Sequence, residues 1–69
     1  MEKYYLDVEL TCSTGNGKLI AYLHEHTHVL SSCFDEQRVT FRLLMKDKLL
    51  HKLRMMDNTI QIRETTGAN

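Results

Sequence analysis

The sequence predicts an α+β domain whose elements follow the order βαββαβ. Residues 4–12 and 38–44 alternate between apolar and polar side chains, which is typical of β-strands with one wet face. Residues 18–26 and 46–55 place their leucines at helical spacing. Short runs at 29–34 and 59–63, rich in apolar residues, add one strand after each helix.

The first strand, Tyr4–Cys12, should separate its side chains into a core row and a solvent row. The core row is Tyr4, Leu6, Val8 and Leu10, and the solvent row is Tyr5, Asp7, Glu9 and Thr11. The turn-forming residues 13–17 follow, and Asn16 should cap the first helix by accepting hydrogen bonds from its free amides. That helix, Lys18–His26, places Leu19, Ile20 and Leu23 on one buried stripe.

Residues 29–44 predict two adjacent strands joined across residues 35–37. In the second of them, Arg38–Leu44, the inward residues are Val39, Phe41 and Leu43. The first, Val29–Phe34, is compatible with two registers. Either Leu30 and Phe34 face the core together with Ser32, or Val29 and Cys33 do so together with Ser31. The larger apolar area of Leu30 and Phe34 favours the first register.

The second helix, Lys46–Met55, is followed by a last strand, Thr59–Arg63. The helix should bury Leu49, Leu50 and Leu53 and expose Lys48, His51 and Lys52, and the strand should bury Ile60 and Ile62. Residues 65–69 lack large apolar side chains and should fray. The chain is therefore read as a single domain over residues 1–64 with a short tail.

These elements assemble in few ways, because crossovers between parallel strands are right-handed. Two βαβ units give the ferredoxin-like split arrangement, with strands in the spatial order 4-1-3-2 and both helices on one face. The open face should then bring Asp7 and Glu9 of the central first strand beside Arg42 and Arg63 of its neighbours. We expect cross-strand ion pairs there.

Composition excludes several classes of protein. The formal net charge is zero, so the bulk positive charge of a nucleic-acid binder is missing, and sequence-specific DNA binding is not expected. No apolar run is long enough to cross a membrane, and the residues after Met1 do not read as a signal peptide, so we expect a cytoplasmic protein. Cys12 and Cys33 should lie two strand spacings apart, about 9.5 Å, and remain free thiols.

The run His24-Glu25-His26-Thr27-His28 offers ligands suited to zinc. It crosses a predicted helix end, and no second ligand cluster accompanies it. A structural role explains this run better, because histidines near the C-terminal end of a helix interact favourably with the negative end of the helix dipole. The turn before Lys18 lacks the length and the Lys-Ser/Thr ending of a phosphate-binding loop. We therefore predict no catalytic, cofactor-binding or metal-binding residue.

Basic residues concentrate in the second helix. Such a cluster is usually a solvated helix face. It is also suited to a sequence-independent contact with a phosphate backbone, for which Lys48, His51 and Lys52 are the candidate partner contacts. Stacking of RNA bases on the open sheet face is disfavoured, because Tyr5 is its only aromatic candidate.

The order and spacing of residues from about Leu6 to Leu53 resemble the C-terminal domain of HflX-type GTPases. The matching segments are Asn16-Gly17-Lys18-Leu19-Ile20-Ala21-Tyr22-Leu23-His24-Glu25-His26, Val29-Leu30, Phe34-Asp35-Glu36 and the strand from Val39 to Leu43. The chain departs from the family at Thr27-His28, where glycine is common, and at Leu44-Met45-Lys46, where Leu-Pro-Pro is common.

The resemblance implies an accessory domain without catalytic motifs, which helps to dock or orient a GTPase on the large ribosomal subunit. GTP and magnesium would belong to the parent protein and not to this chain. The partners implied are the large ribosomal subunit and the parent GTPase domain. The alternative is a free-standing ferredoxin-like module that binds a ligand or pairs exposed strand edges.

Overall fold

The computed structural model describes residues 5–65. Its elements are β1 (Tyr5–Ser13), α1 (Gly17–His26), β2 (His28–Asp35), β3 (Arg38–Lys46), α2 (Leu49–Met56) and β4 (Gln61–Glu64). The strands form one antiparallel sheet in the spatial order β2-β3-β1-β4. Leucines of both helices join one face of this sheet in a single core. The predicted α+β class and the predicted strand order are confirmed.

The core follows the alternation that the sequence predicted for the two central strands. Every second residue of β1 from Val8 onward, and every second residue of β3 from Val39 onward, is at most 2% exposed, as are one or two leucines of each helix. These residues are Val8, Leu10, Cys12, Val39, Phe41, Leu43, Met45, Leu19, Leu23 and Leu53. Leu6, at the start of the β1 row, is partly buried. No polar or charged side chain is buried within residues 5–65. Packing of apolar side chains is therefore the main source of stability.

Asn16 connects the beginning of α1 with the end of α2. Its Oδ1 accepts a hydrogen bond from the Leu19 amide at 3.2 Å, which confirms the predicted N-cap. Its Nδ2 donates to Oδ2 of Asp57, the residue after α2, at 2.6 Å. The other oxygen of Asp57 accepts from the backbone amide and the hydroxyl of Thr59. One polar cluster thus joins the two helices at the same end of the sheet.

In the edge strand β2, the alternation of side chains between the two faces of the sheet shifts by one residue part-way along the strand. Val29 lies opposite Leu43 and packs against the core, but a β-bulge follows between Val29 and Ser31. A bulge adds one residue to its strand, so the alternation of faces shifts by one beyond it. Neither of the two predicted registers therefore holds along the whole strand.

Leu30 and Phe34 are 47% and 66% exposed, so the prediction that they enter the core is wrong. Leu30 lies in the bulge. Phe34 lies opposite Val39, on the helix-bearing side of the sheet, where the helices do not cover it. Cys33, the residue of the other register, is exposed on the open face.

The second helix begins three residues later than predicted. Strand β3 continues through Lys46, because Met45 keeps the alternation of the core row and is only 1% exposed. The helix then begins at Leu49 and buries Leu53 fully, whereas Leu49 and Leu50 are partly buried. Ile60 is buried and Ile62 partly buried, as predicted.

At the C-terminal end, Thr65 donates two hydrogen bonds to the carbonyl oxygen of Asp7, from its amide at 2.7 Å and from its hydroxyl at 2.9 Å. The remaining residues of the predicted tail, 66–69, lie outside the described residues, as does Tyr4. Neither helix within residues 5–65 has the length and apolar character needed to cross a membrane.

Candidate functional site

The three residues predicted to contact a partner lie together on α2. Lys48 immediately precedes the helix, His51 and Lys52 lie in its first turn, and all three are exposed. Spacings of three and four residues place them on one side of the helix, away from the buried Leu53. We call Lys48, His51 and Lys52 the basic face of α2. Lys52 also approaches the ring of Tyr22 on α1, with Nζ 6.0 Å from the ring centroid.

The charges of the basic face are badly placed for helix stability. Cations are unfavourable near the positive N-terminal end of a helix dipole. The first turn of α2 nevertheless contains no acidic residue, and Lys48 at the N-cap position makes no capping side-chain bond. Between positions 46 and 54 the sequence holds four lysines and arginines against one aspartate, Asp47. The cations and the dipole therefore add to a local positive potential that attracts anions.

An open groove of about 640 Å³ adjoins this face. Its walls come from the end of α1, the start of β2, the beginning of β1, the end of β3 and the start of α2. Lys46 and Lys48 contribute cations, His26 and His28 contribute imidazoles, and Glu25 contributes one carboxylate. The groove is therefore of mixed charge, and its lysines extend the positively charged surface beyond the basic face.

The three histidines of the run 24–28 point to different surroundings. Nδ1 of His24 lies 3.0 Å from the carbonyl oxygen of Ile20, and its ring meets Phe41 edge-on with centroids 5.7 Å apart. His26 stacks on Tyr22 with centroids 4.3 Å apart. His28 begins β2. Within residues 5–65, no three His, Cys, Asp or Glu side chains converge as a metal site would require.

The open sheet face carries the predicted ion pairs. Arg42 donates two hydrogen bonds to Asp7, from Nε at 3.0 Å and from an Nη at 2.8 Å, and Arg63 donates to Glu9 at 2.8 Å. The hydrogen bonds from Arg42 and Thr65 hold the pKa of Asp7 below its usual value. Because these charges neutralise one another, this face attracts an anion less strongly than α2 does.

The predicted free thiols differ in their surroundings. Cys12 is buried, and burial raises the pKa of its thiol, which makes it a poor nucleophile. Cys33 is exposed on β2. Both are unbridged, as predicted.

The sequence indicated that the edge strand at residues 29–34 could pair with a partner, but not that two large apolar side chains, Leu30 and Phe34, are exposed there. Beyond the bulge, residues 31–35 form the outer side of the sheet, and we call this segment the free edge of β2. Phe34 lies on it and Leu30 next to it. The pair Ser31-Ser32 was the available signal, because small polar residues on both faces are typical of an edge strand and not of a buried one.

Comparison with protein families, with curated proteins and with solved structures finds no match to this chain.

Proposed function

We propose that this chain is a non-catalytic docking domain, which helps to place an HflX-type GTPase on the large ribosomal subunit. The sequence resemblance, which runs from about Leu6 to Leu53, supports the family. The basic face of α2 supports the mode of contact, and it is the observation on which the proposal depends.

Ribosomal RNA presents a dense array of phosphates, and contacts with them position a protein without reading sequence. Lys48, His51 and Lys52 are exposed, share one side of α2 and have no acidic neighbour in the first turn. A docking domain needs such a surface and needs no catalytic group. Lys46, in the adjoining groove, extends the same surface towards β3.

The test is co-sedimentation of the chain with purified large ribosomal subunits at several salt concentrations. The variant Lys48→Glu/Lys52→Glu should lose binding, and the binding that remains should depend less steeply on salt, because fewer phosphate contacts release counterions. The matched control is Lys18→Glu/Arg38→Glu, which makes the same change in net charge at exposed positions elsewhere. Equal binding by the two variants would contradict the contact, and no sedimentation of the unmodified chain would contradict the function.

The exposed edge of β2 favours a second candidate, a free-standing binding or oligomerisation module. The two candidates differ in the size of the native protein. An immunoblot of cells that express the chain should show a band several times heavier than 8.1 kDa for a GTPase appendage, and a band near 8.1 kDa for a free-standing module.

A further inference from the structure

The outer edge of β2 is a regular strand edge without a neighbour in the sheet. Strand β2 pairs with β3 on one side and is the last strand in the spatial order of the described residues. Beyond the bulge, residues 31–35 pair residue by residue with positions 42–38 of β3. Their outward backbone groups are therefore arranged to continue the sheet.

We propose that the free edge of β2 pairs antiparallel with the same edge of a second copy of this chain, about a twofold axis at Cys33. The two four-stranded sheets then form one continuous sheet. This interface lies at the sheet edge opposite β4. It does not depend on the docking function, and it gives the second candidate, an oligomerisation module, a defined interface.

Symmetry fixes the register of this pairing. A twofold axis perpendicular to the sheet places the helix-bearing faces of both copies on the same side of the combined sheet. Residues can therefore oppose each other only if they lie on the same face. The regular segment 31–35 is centred on Cys33, and centring the axis there pairs all five residues. Cys33 then faces the partner's Cys33, Ser32 faces the partner's Phe34, and Ser31 faces the partner's Asp35. The bulge before Ser31 ends the pairing in the other direction.

The side chains on the helix-bearing face are complementary in size. Phe34 is 66% exposed beside Val39, whereas Ser32 is small and lies beside the buried Phe41. In the dimer, each Phe34 covers the space above the partner's Ser32. Two exposed aromatic rings are thereby removed from water, which favours association.

The charges on the open face are also compatible. Asp35 is the only charged residue of the segment 31–35, and it faces the partner's Ser31, so no like charges oppose each other. Ser31 lies opposite Arg42 in its own sheet. The carboxylate of the partner's Asp35 therefore joins the cross-strand row that contains Arg42, which is a charge-complementary position.

The geometry makes Cys33 a reporter of the pairing. Directly opposed residues of antiparallel strands have Cα atoms about 4.5–5.5 Å apart, within the range of about 4.4–6.8 Å that a disulfide bridges. Under mild oxidation with diamide, the two thiols should lose two protons and two electrons to the diamide and form an intermolecular disulfide. The product is a covalent dimer on a non-reducing gel, absent in Cys33→Ser.

The matched control is Cys33→Ser/Ser31→Cys, which moves an exposed thiol along the same strand and face. Position 31 is displaced from the partner's position 31 by four residues, about 13 Å along the strand. Cys33 should cross-link at least about tenfold faster than the displaced thiol, because pairing raises the effective concentration of opposed groups. Equal rates would indicate random collisions of exposed thiols and would overturn the proposal.

Sedimentation of the reduced protein tests the pairing without a cross-link. A five-residue strand edge is a small interface, so the dimer should be reversible and dependent on concentration. Phe34→Lys should abolish both the association and the fast cross-link while it leaves the circular dichroism spectrum unchanged, since this residue is outside the core. A monomer at every concentration up to the millimolar range would overturn the proposal.

Discussion

Replacing Asn16 by Ala should lower stability more than the position of this residue in a turn suggests. The change removes the acceptor for the Leu19 amide and the donor to Asp57. Loss of an N-cap side chain costs about 1 kcal/mol. In a domain of this size, about 1 kcal/mol lowers the melting temperature by roughly 4–8 °C. We expect a fall at least this large in Asn16→Ala, because the bond that joins the two helices is lost as well.

Thermal and urea unfolding followed by circular dichroism measure this effect. Asn58→Ala is the matched control, since Asn58 is an exposed turn residue next to Asp57. Asn16→Asp separates the two contacts: it keeps the cap acceptor but places a carboxylate beside Asp57. It should therefore melt below the unmodified chain, and more so at neutral pH than at pH 3. An unchanged melting temperature in Asn16→Ala would refute the reasoning.

Three further predictions concern the sheet and its acidic residues. Arg42→Glu should lower the melting temperature, because the new carboxylate would lie beside those of Asp7 and Glu9. A melting temperature equal to or above that of the unmodified chain would contradict the described register. The hydrogen bonds from Arg42 and from Thr59 hold the pKa values of Asp7 and Asp57 below the usual value of an aspartate, so the stability that these groups contribute is present above that usual value. It should be lost as the pH falls below about 4, which urea unfolding at a series of pH values would detect. Phe34→Ser should change the free energy of unfolding by less than about 0.5 kcal/mol, whereas Val29→Ser should cost about 1 kcal/mol or more; the reverse order in urea unfolding would contradict the bulge.

Much of the fold could be predicted because the two central strands alternate without interruption. The alternation of apolar and polar residues in β1 and β3 was sufficient to place Asp7 and Arg42 on the same open face. The alternation did not determine which carboxylate binds Arg42. This arginine lies opposite Glu9 in the sheet but forms its two hydrogen bonds with Asp7, its diagonal neighbour. The choice between two nearby carboxylates depends on side-chain geometry, which periodicity does not contain.

The register of the edge strand could not be predicted for a different reason. Area alone favoured burying Leu30 and Phe34, and nothing in the sequence marks the bulge at Leu30. The start of α2 was misplaced because the charged residues Lys46, Asp47 and Lys48 contain no apolar side chain that marks where the strand ends and the helix begins. The exposure of Lys48, His51 and Lys52 followed correctly from helical spacing. What they contact does not follow from spacing, because a solvated face has the same pattern.

The position of β1 has a consequence for how the chain reaches its fold. Although it comes first in the sequence, β1 lies between β3 and β4. Asp7 and Arg42 are separated by 35 residues along the sequence, and Glu9 and Arg63 by 54 residues. Contacts between residues so distant in the sequence require the closure of long loops, which slows folding. During synthesis, one side of β1 stays uncovered until β4 (Gln61–Glu64) emerges. A chain that ends before Gln61 would therefore expose β1, which contains Val8 and Leu10, as an edge of the sheet and would be prone to aggregate.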